Sequence, residues 1–337
     1  MYNIIYYTLW RNSIKMNISV LGCGRWGSFI AWYLSKIGHN ITVWGRKESK
    51  NLSRFLDCGN NGVIFFSEKV KFTFNLEEAL SDCEIIVISI SSQSLRDLFR
   101  SLIKFDLSGK KIVLCMKGIE ESTGKRLTEV AHEYIDKDLT DVAIWVGPGH
   151  VQDFLKGIPN CMVIDSNKES VTKFLISIFS SDLIRFYYGN DLIGNEIGAA
   201  AKNVMGIAAG ILDGIGYESL KGALMSRGTL EISRLIKAMG GNPFSAYGLC
   251  HLGDYQATLF SEYSNNRQYG ENLAKNQEYF KLAEGVSTSR AIKRLSQIYN
   301  VELPICNSIS TIIDKKIDPK IELSNLFLRS VKDELKR

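Results

Sequence analysis

Lys202 stands in surroundings that suggest a chemical role for its amine. It lies in the segment Glu196–Gly210, which otherwise consists largely of glycine, alanine and apolar residues. Such a segment lets other backbone or a ligand approach closely, and a lysine there loses solvation, which favours its neutral form. A neutral amine can accept the proton of an alcohol as a hydride leaves. The alternative is an ordinary lysine whose charged end reaches solvent.

A glycine motif near the N-terminus indicates a second kind of chemistry. The apolar run Ile18–Leu21 leads into G-x-G-x-x-G, formed by Gly22, Gly24 and Gly27, and a helical pattern follows. In such a motif the first glycine permits a tight turn, the second lets backbone approach a pyrophosphate, and the third allows close helix–strand packing. The helix N-terminus then offers N–H groups to the phosphates. We predict a dinucleotide site, the alternative being a glycine turn without a ligand.

The residues after the next strand bear on the choice of dinucleotide. The predicted strand Ile41–Trp44 is followed by Gly45, Arg46, Lys47 and Glu48. Enzymes specific for NAD usually place an acidic side chain at this strand end to bind the ribose 2′-hydroxyl, whereas a cation accommodates a 2′-phosphate. Arg46 or Lys47 could accept that phosphate, and a solvated charged loop is the alternative. NAD and NADP both stay open.

Three further polar features could contact an anionic substrate. Lys117 follows the apolar run Ile112–Met116, at a strand end where ligands of such folds bind. Asp254 follows a glycine, and Ser264–Arg267 combines hydroxyl, amide and guanidinium donors that suit a phosphate. The alternatives are a solvent-directed lysine and a turn that caps a helix. Spacing alone does not decide between them.

The elements that must position these residues differ between the two halves of the chain. Short strands rich in Val and Ile alternate with helical segments in the first half, which predicts an α/β domain of the Rossmann type with a doubly wound, mostly parallel sheet. The predicted strands are Ile18–Leu21, Ile41–Trp44, Glu84–Ile90, Lys111–Met116, Val142–Val146 and Cys161–Ile164. The predicted helical segments between them include Trp26–Ile37, Leu76–Leu80 and Gly124–Tyr134.

The second half carries almost no strand signal. Long helical patterns cover Asp191–Leu212 and Tyr217–Met239, and the second ends at Gly240 and Gly241. We therefore predict a dinucleotide-binding domain over 16–189 and an all-α, substrate-binding domain over 190–337. Residues 1–15 precede the first strong strand and are interpreted as an extension or a misassigned start.

Composition excludes several classes of protein. The 337 residues are 45% apolar and 23% charged, and 41 basic and 36 acidic residues give a net charge of +5 without a concentrated basic face, so no nucleic-acid partner is expected. The seven cysteines are widely spaced and the four histidines lack metal-ligand spacing, which predicts reduced thiols in the cytoplasm and no metal. The sequence contains no run of 18 apolar residues, so no membrane span is expected.

Over residues 17–290 the sequence resembles the NAD(P)-dependent glycerol-3-phosphate dehydrogenase family of bacterial type. The glycine motif is similar to the family's G-x-G-x-W-G, and a series of other matches follows in order along the chain. These matches are Met116–Gly118, Gly147–His150, Lys202–Val204, Ala208–Gly210, Asp213–Gly214, Arg227–Gly228, Gly253–Asp254, Thr258 and Glu284–Gly285.

The resemblance implies interconversion of sn-glycerol 3-phosphate and dihydroxyacetone phosphate with NAD or NADP, which supplies the phospholipid backbone. It implies that Lys202 accepts the proton of the C2 hydroxyl, that Lys117 contacts both cofactor and substrate, and that Asp254 orients this network. Implied cofactor contacts are Gly22, Gly24, Arg25, Trp26, Gly27, Arg46, Lys117, Val151 and Glu284. Implied substrate contacts are Lys117, Gly147, Gly149, Lys202, Asp254, Ser264 and Asn266. A helical second domain also permits a homodimer.

Several positions depart from the family pattern. Asn265 stands where an arginine is expected to bind the substrate phosphate, and Arg25 and Gly149 replace other expected residues. The family's G-L-A-G-L-G-D-L reads G-L-C-H-L-G-D-Y over 248–255. Two alternatives therefore stay open: a drifted homologue that still binds dinucleotide, and a dehydrogenase of another 2-hydroxy substrate. The retained Ser264, Asn266 and Arg267 weigh against the second.

Overall fold

The computed structural model describes residues 14–66, 70–331 and 333–334. The chain divides into two compact units. The first contains the chain up to Lys117 together with Lys125–Glu196, and the second contains Gly118–Gly124 and the chain from Ile197 onward. Most of the predicted extension over 1–15 lies outside the described residues.

An eight-stranded sheet forms the centre of the first unit. Its strands are β1 (Asn17–Leu21), β2 (Asn40–Trp44), β3 (Val70–Thr73), β4 (Ile85–Ile88), β5 (Lys111–Leu114), β6 (Asp141–Val146), β7 (Asn160–Ser166) and β8 (Ile184–Tyr188). Their order is β3-β2-β1-β4-β5-β6-β7-β8, and all neighbours run parallel except β6 and β7. Because the order reverses between β1 and β4, a crevice opens at the carboxyl ends of these two strands. The predicted doubly wound, mostly parallel sheet is confirmed.

The two strands that the sequence pattern missed lie at opposite edges of the sheet. In β3 the side chain of Lys71 is exposed, and in β8 those of Arg185, Tyr187 and Tyr188 are exposed. The predicted strands lie between these two edges, where both faces are covered and the sequence becomes continuously apolar. An edge strand mixes polar and apolar residues over few positions, so its pattern resembles that of a loop.

Seven helices accompany the sheet in the described part of the first unit. They are α1 (Arg25–Lys36), α2 (Lys50–Cys58), α3 (Leu76–Ser81), α4 (Leu95–Leu102), α5 (Leu127–His132), α6 (Val151–Leu155) and α7 (Glu169–Phe179). An aromatic core joins α1 and α6, since the buried rings of Phe29 and Phe154 stack with centroids 4.8 Å apart. Burial of one such ring contributes about 1.5–3 kcal/mol, so this core fixes α1 at the end of β1.

The second unit is helical, and the described residues after Tyr188 contain no strand, as predicted. Its helices are α8 (Leu192–Gly214, which begins in the first unit), α9 (Lys221–Ala238), α10 (Asn265–Ala274), α11 (Glu284–Ile298), α12 (Pro304–Lys315) and α13 (Pro319–Phe327). Between α9 and α10 lie short turns, including a 3₁₀ turn over Leu252–Asp254 and a π-helical turn over Gln256–Phe260. Among the described residues, no helix is both long and apolar enough to cross a membrane.

The small residues of α8 allow backbone to pack directly on it. A Cβ atom at Gly210 would lie 1.9 Å from the carbonyl oxygen of Arg267 in α10. A Cβ atom at Gly285 of α11 would lie 2.7 Å from the carbonyl oxygen of Asn203. The close approach that the Gly- and Ala-rich sequence predicted is therefore made by α10 and α11.

Candidate active site

The glycine turn after β1 has a geometry that side chains would destroy. Gly22 has φ +114°, and a Cβ atom there would lie 2.2 Å from the carbonyl oxygen of Ser89, which follows β4. A Cβ atom at Gly27 would lie 2.1 Å from the carbonyl oxygen of Gly22, so α1 packs directly on the turn. At Gly24, by contrast, a Cβ atom would meet no non-neighbouring atom within 4 Å. The turn is thus tight on the protein side and open where a ligand would approach.

The first turn of α1 brings three candidate cofactor contacts to this opening. Gly24 caps the helix without a side-chain hydrogen bond, and Arg25 and Trp26 follow it. The ring of Trp26 lies 6.3 Å from that of Phe154 in α6. Val151, another candidate, is buried at the start of that short helix. The positive end of the α1 dipole therefore faces the turn, as an anion-binding site requires.

The strand end that concerns the 2′-position lies beside the glycine turn. A Cβ atom at Gly45 would lie 2.8 Å from the Sγ of Cys23, and the Cys23 thiol contacts the hydroxyl of Ser49 at 2.8 Å. Burial raises the pKa of this thiol. The side chains of Arg46 and Lys47 are exposed at the same strand end. The sequence did not indicate the contact between Cys23 and Ser49, which joins the two parts of the site.

Lys117 and Gly147 meet at the carboxyl ends of β5 and β6. The half-buried Lys117 donates a hydrogen bond from Nζ to the carbonyl oxygen of Gly147 at 2.6 Å. Gly147 has φ +128°, and Gly149 has φ +157° with room for no side chain, because a Cβ atom there would lie 2.4 Å from the ring of Phe154. Any larger residue at 149 would therefore require the ring of Phe154 to move.

In the second unit Lys202 belongs to a compact polar constellation. Its Nζ donates to the hydroxyl of Thr258 at 2.8 Å and lies 3.2 Å from a carboxylate oxygen of Asp254. The hydroxyl of Thr258 in turn donates to the carbonyl oxygen of Asp254 at 2.7 Å. Only 12% of the Lys202 side chain and 1% of the Asp254 side chain are exposed. The sequence motif contains Thr258, but only the structure assigns it a partner.

The structure changes the expectation that desolvation alone governs the charge of Lys202. Burial disfavours an ammonium ion, but the adjacent carboxylate of Asp254 favours it. The structure therefore places the amine in an ion pair rather than in purely apolar surroundings.

Asn266 of α10, a candidate phosphate ligand, packs on α8 one helical turn beyond Lys202. A Cβ atom at Gly206 would contact Thr258 at 2.8 Å and Asn266 at 3.2 Å. The side-chain amide of Asn266 donates to Asn203 at 3.0 Å and accepts from the backbone N–H of Gly285 at 2.9 Å. These bonds join Asn266 to the residue after Lys202 and, through Gly285, to the start of α11.

The ends of two helices hold the remaining candidates of this unit. Ser264 caps α10, its hydroxyl accepting from the N–H of Arg267 at 3.3 Å. Glu284 is the first residue of α11, next to Gly285, and is the one candidate cofactor contact in the second unit. The sequence motif contains Asn203, but only the structure shows its contact with Asn266.

Arg267 and Asn265 have partners within the second unit. The guanidinium of Arg267 donates to Asp213 at 2.6 Å, and Lys221 lies 2.6 Å from the same carboxylate. The side-chain amide of Asn265 donates to the carbonyl oxygen of Leu282 at 3.2 Å. Arg267 therefore joins α10 to α8 and does not take the place of the arginine missing at 265.

In the part of the chain that the structure describes, no group of three or more His, Cys, Asp or Glu side chains could hold a metal ion. All seven cysteines are free thiols.

A sheet with a glycine turn at its switch point and a helical unit with a buried lysine–aspartate pair define a dinucleotide-dependent oxidoreductase. Sequence models named for the N-terminus and the C-terminus of NAD-dependent glycerol-3-phosphate dehydrogenase match residues 17–172 and 191–324. The chain belongs to the NAD-dependent glycerol-3-phosphate dehydrogenase family.

Individual relatives agree over almost the full length. Glycerol-3-phosphate dehydrogenases [NAD(P)+] of Fusobacterium nucleatum and of Thermoanaerobacter sp. (strain X514) are each 34% identical, over 95% of this chain and 99% of the relative. The solved glycerol-3-phosphate dehydrogenase of Coxiella burnetii superimposes with a TM-score of 0.87 and 25% identity, over 94% of this chain and 99% of that one.

Proposed function

We propose that this protein interconverts sn-glycerol 3-phosphate and dihydroxyacetone phosphate by hydride transfer with NAD or NADP. The observation that carries the proposal is the buried constellation of Lys202, Asp254 and Thr258. Membership in the family supports the choice of substrate.

The residues of the first unit fit a dinucleotide. The opening in front of Gly24 and the uncapped start of α1 suit a pyrophosphate. We assign the cofactor contacts to Gly22, Gly24, Arg25, Trp26, Gly27, Arg46, Lys117, Val151 and Glu284. When bound, the nicotinamide supplies the hydride for ketone reduction or accepts it in alcohol oxidation.

Lys202 is assigned as the proton acceptor of the substrate hydroxyl. In the oxidation, its amine takes the proton of the C2 hydroxyl; in the reduction, its ammonium returns a proton to the C2 oxygen. Such proton transfer contributes about 10²–10⁴-fold to the rate. Asp254 offsets the charge of the ammonium, and the hydroxyl of Thr258 accepts from Nζ and thereby orients it.

The remaining contacts are assigned to the substrate phosphate and its carbon chain. Ser264 and Asn266 lie at the N-terminus of α10, where a hydroxyl, an amide and the helix dipole favour an anion. Lys117, Gly147 and Gly149 are assigned as further substrate contacts. Positioning the phosphate also aligns C2 for reaction, so these contacts raise the reaction rate as well as the affinity for the substrate.

Turnover of dihydroxyacetone phosphate by the purified protein tests the proposal. We expect oxidation of NADH, NADPH or both, followed by the absorbance of the reduced nicotinamide. Unphosphorylated dihydroxyacetone serves as the matched control and should react far more slowly. Cofactor binding without oxidation of either NADH or NADPH would contradict the proposal and favour a drifted homologue. Equal rates with and without the phosphate would favour another substrate.

We further propose a division of labour, a location and an assembly. Residues 16–189 would carry every assigned cofactor contact except Glu284, and residues 190–337 would carry the substrate contacts Lys202, Asp254, Ser264 and Asn266. The seven free cysteines support a reducing compartment, the cytoplasm, where the product would supply phospholipid synthesis. A homodimer is proposed, to be tested by sedimentation of the purified protein; a monomer at assay concentration would refute it.

A further inference from the structure

Two side chains next to Asp254 form a buried hydrogen-bonded pair to which the proposed reaction assigns no role. His251 and Tyr255 are both fully buried. The hydroxyl of Tyr255 lies 2.6 Å from Nε2 of His251, and Nδ1 of His251 lies 2.8 Å from the carbonyl oxygen of Gly198 in α8. The two rings meet edge to face, with centroids 4.8 Å apart.

The partners determine the direction of both hydrogen bonds. A carbonyl oxygen only accepts, so Nδ1 of His251 carries the proton, Nε2 accepts, and the Tyr255 hydroxyl donates. Burial lowers the pKa of His251 to about 4 and raises the pKa of Tyr255. Both groups are therefore neutral over the range in which such an enzyme works, and the chain of bonds keeps one direction.

This chain of bonds runs alongside the contact between Lys202 and Asp254. Gly198 and Lys202 are four residues apart on α8, about one helical turn. His251 precedes the 3₁₀ turn that ends at Asp254, whose N–H donates to the carbonyl oxygen of His251 at 3.0 Å. Tyr255 follows Asp254 directly. The segment 251–258 is thus attached to α8 at two successive turns, by His251 at Gly198 and by Asp254 and Thr258 at Lys202.

Close packing leaves this arrangement little freedom. A Cβ atom at Gly198 would lie 3.1 Å from the Cβ of His251, so α8 and the histidine are already in contact. On the other side, a Cβ atom at Gly228 of α9 would lie 3.4 Å from the Tyr255 hydroxyl. The pair is therefore held between α8 and α9, and a shift of either ring would move the backbone of Asp254.

We propose that His251 and Tyr255 are positioning residues that hold Asp254 and Thr258 at the distance and angle at which Lys202 exchanges a proton with the substrate. The inference rests on the proposed function, because it assigns the pair to the same proton-transfer step. A merely structural pair would contribute to the stability of the fold and leave the chemical step unchanged.

Three variants test this role. Tyr255→Phe removes the donor hydroxyl, and His251→Asn keeps an amide N–H for Gly198 while removing the acceptor at Nε2. Each variant removes the hydrogen bond between Tyr255 and His251, and the double variant removes no further bond between them. Tyr33→Phe is the matched control, since Tyr33 in α1 is equally buried and its hydroxyl donates to the carbonyl oxygen of Phe179 at 2.5 Å.

Each single variant is expected to lower kcat about tenfold while the KM for dihydroxyacetone phosphate stays within about twofold, because small misplacements of catalytic groups act on the transition state. The double variant should be about as slow as the slower single variant, since coupled groups are not additive. Tyr33→Phe should lower Tm and keep kcat.

The outcomes separate the two proposals. If the wild-type protein turns over and Tyr255→Phe and His251→Asn lower only Tm, the positioning role is refuted and the proposed function stands. Multiplicative losses in the double variant would also refute a shared bond. An inactive wild-type protein would refute the proposed function itself. Folding of each variant is checked by its thermal transition and by NADH binding.

Discussion

The glycine turn and the lysine constellation position their functional groups in different ways. The turn at Gly22 is a backbone structure, determined by the absence of Cβ atoms and by the close approach of Ser89. The constellation around Lys202 is a side-chain structure, in which Thr258 lies 56 positions away along the chain. A backbone site tolerates many side chains around it, whereas a side-chain site depends on each partner.

Arg25 and Asn265 illustrate the consequence. Arg25 departs from the family pattern in the first turn of α1, where the proposed pyrophosphate contacts use backbone N–H groups that any residue provides. Asn265 departs at a position where a charged side chain is expected, and its amide binds Leu282. We therefore expect the first departure to leave the proposed cofactor site intact, and the second to remove a contact that backbone cannot replace.

The largest expected effect tests the side-chain half of this comparison. Lys202→Ala should lower kcat by about 10²–10⁴-fold, because it removes the proton acceptor. The dissociation constant for NADH should stay within about twofold, since Lys202 is not among the assigned cofactor contacts. Steady-state kinetics and NADH fluorescence titration measure the two quantities.

Lys221→Ala is the matched control for Lys202→Ala. Lys221 is another buried lysine paired with a carboxylate, Asp213, but it has no role in the assigned chemistry. The control should lower Tm and retain kcat. Activity of Lys202→Ala within a few-fold of wild type would exclude its assignment as the base.

The next largest effect is expected at the glycine turn, whose geometry depends on the backbone. Gly22→Ala should weaken dinucleotide binding at least about tenfold, because its Cβ would clash with Ser89. Gly38→Ala shares a positive φ of +107° but meets no neighbouring atom within 4 Å. This control should lose stability and keep NADH affinity.

If Gly22→Ala does not fold, Gly24→Ala tests the same site. A methyl group there enters the open space before the turn without a clash. It should weaken NADH binding while Tm stays near that of the wild type. Unchanged affinity in Gly24→Ala would contradict the assigned pyrophosphate site.

A smaller effect concerns the choice of cofactor. Arg46→Glu should lower kcat/KM for NADPH about tenfold and leave that for NADH nearly unchanged, because one ionic contact to a 2′-phosphate is lost. Arg100→Glu, the same charge change at an exposed site on α4, is the control. Equal losses with both cofactors would show that Arg46 does not distinguish them.

The smallest expected effect concerns the binding of the substrate phosphate. Asn265→Arg should lower the KM for dihydroxyacetone phosphate about fivefold, as a charge-assisted hydrogen bond replaces a neutral group. Asn265→Gln, which lengthens the side chain without charge, should leave KM unchanged. A KM for Asn265→Arg that is equal or higher would mean that another residue already binds the phosphate.

Much of this fold could be predicted because its signals are local. The buried strands are continuous apolar runs, and the glycine turn is one short motif. The Gly- and Ala-rich segment around Lys202 predicted the close packing of α8. The edge strands Val70–Thr73 and Ile184–Tyr188 gave weaker patterns, since exposure on one side mixes polar residues into a short run.

The sequence by itself determined the architecture, the dinucleotide turn and the identity of the candidate base, because each depends on residue type and short spacing. Only the tertiary structure decided which partner each polar side chain has. Arg267 binds Asp213 from 54 positions away, and His251 reaches Gly198 from 53. A hydrogen bond depends on distance in space, and in a folded chain that distance is set by the packing of helices rather than by their separation in sequence.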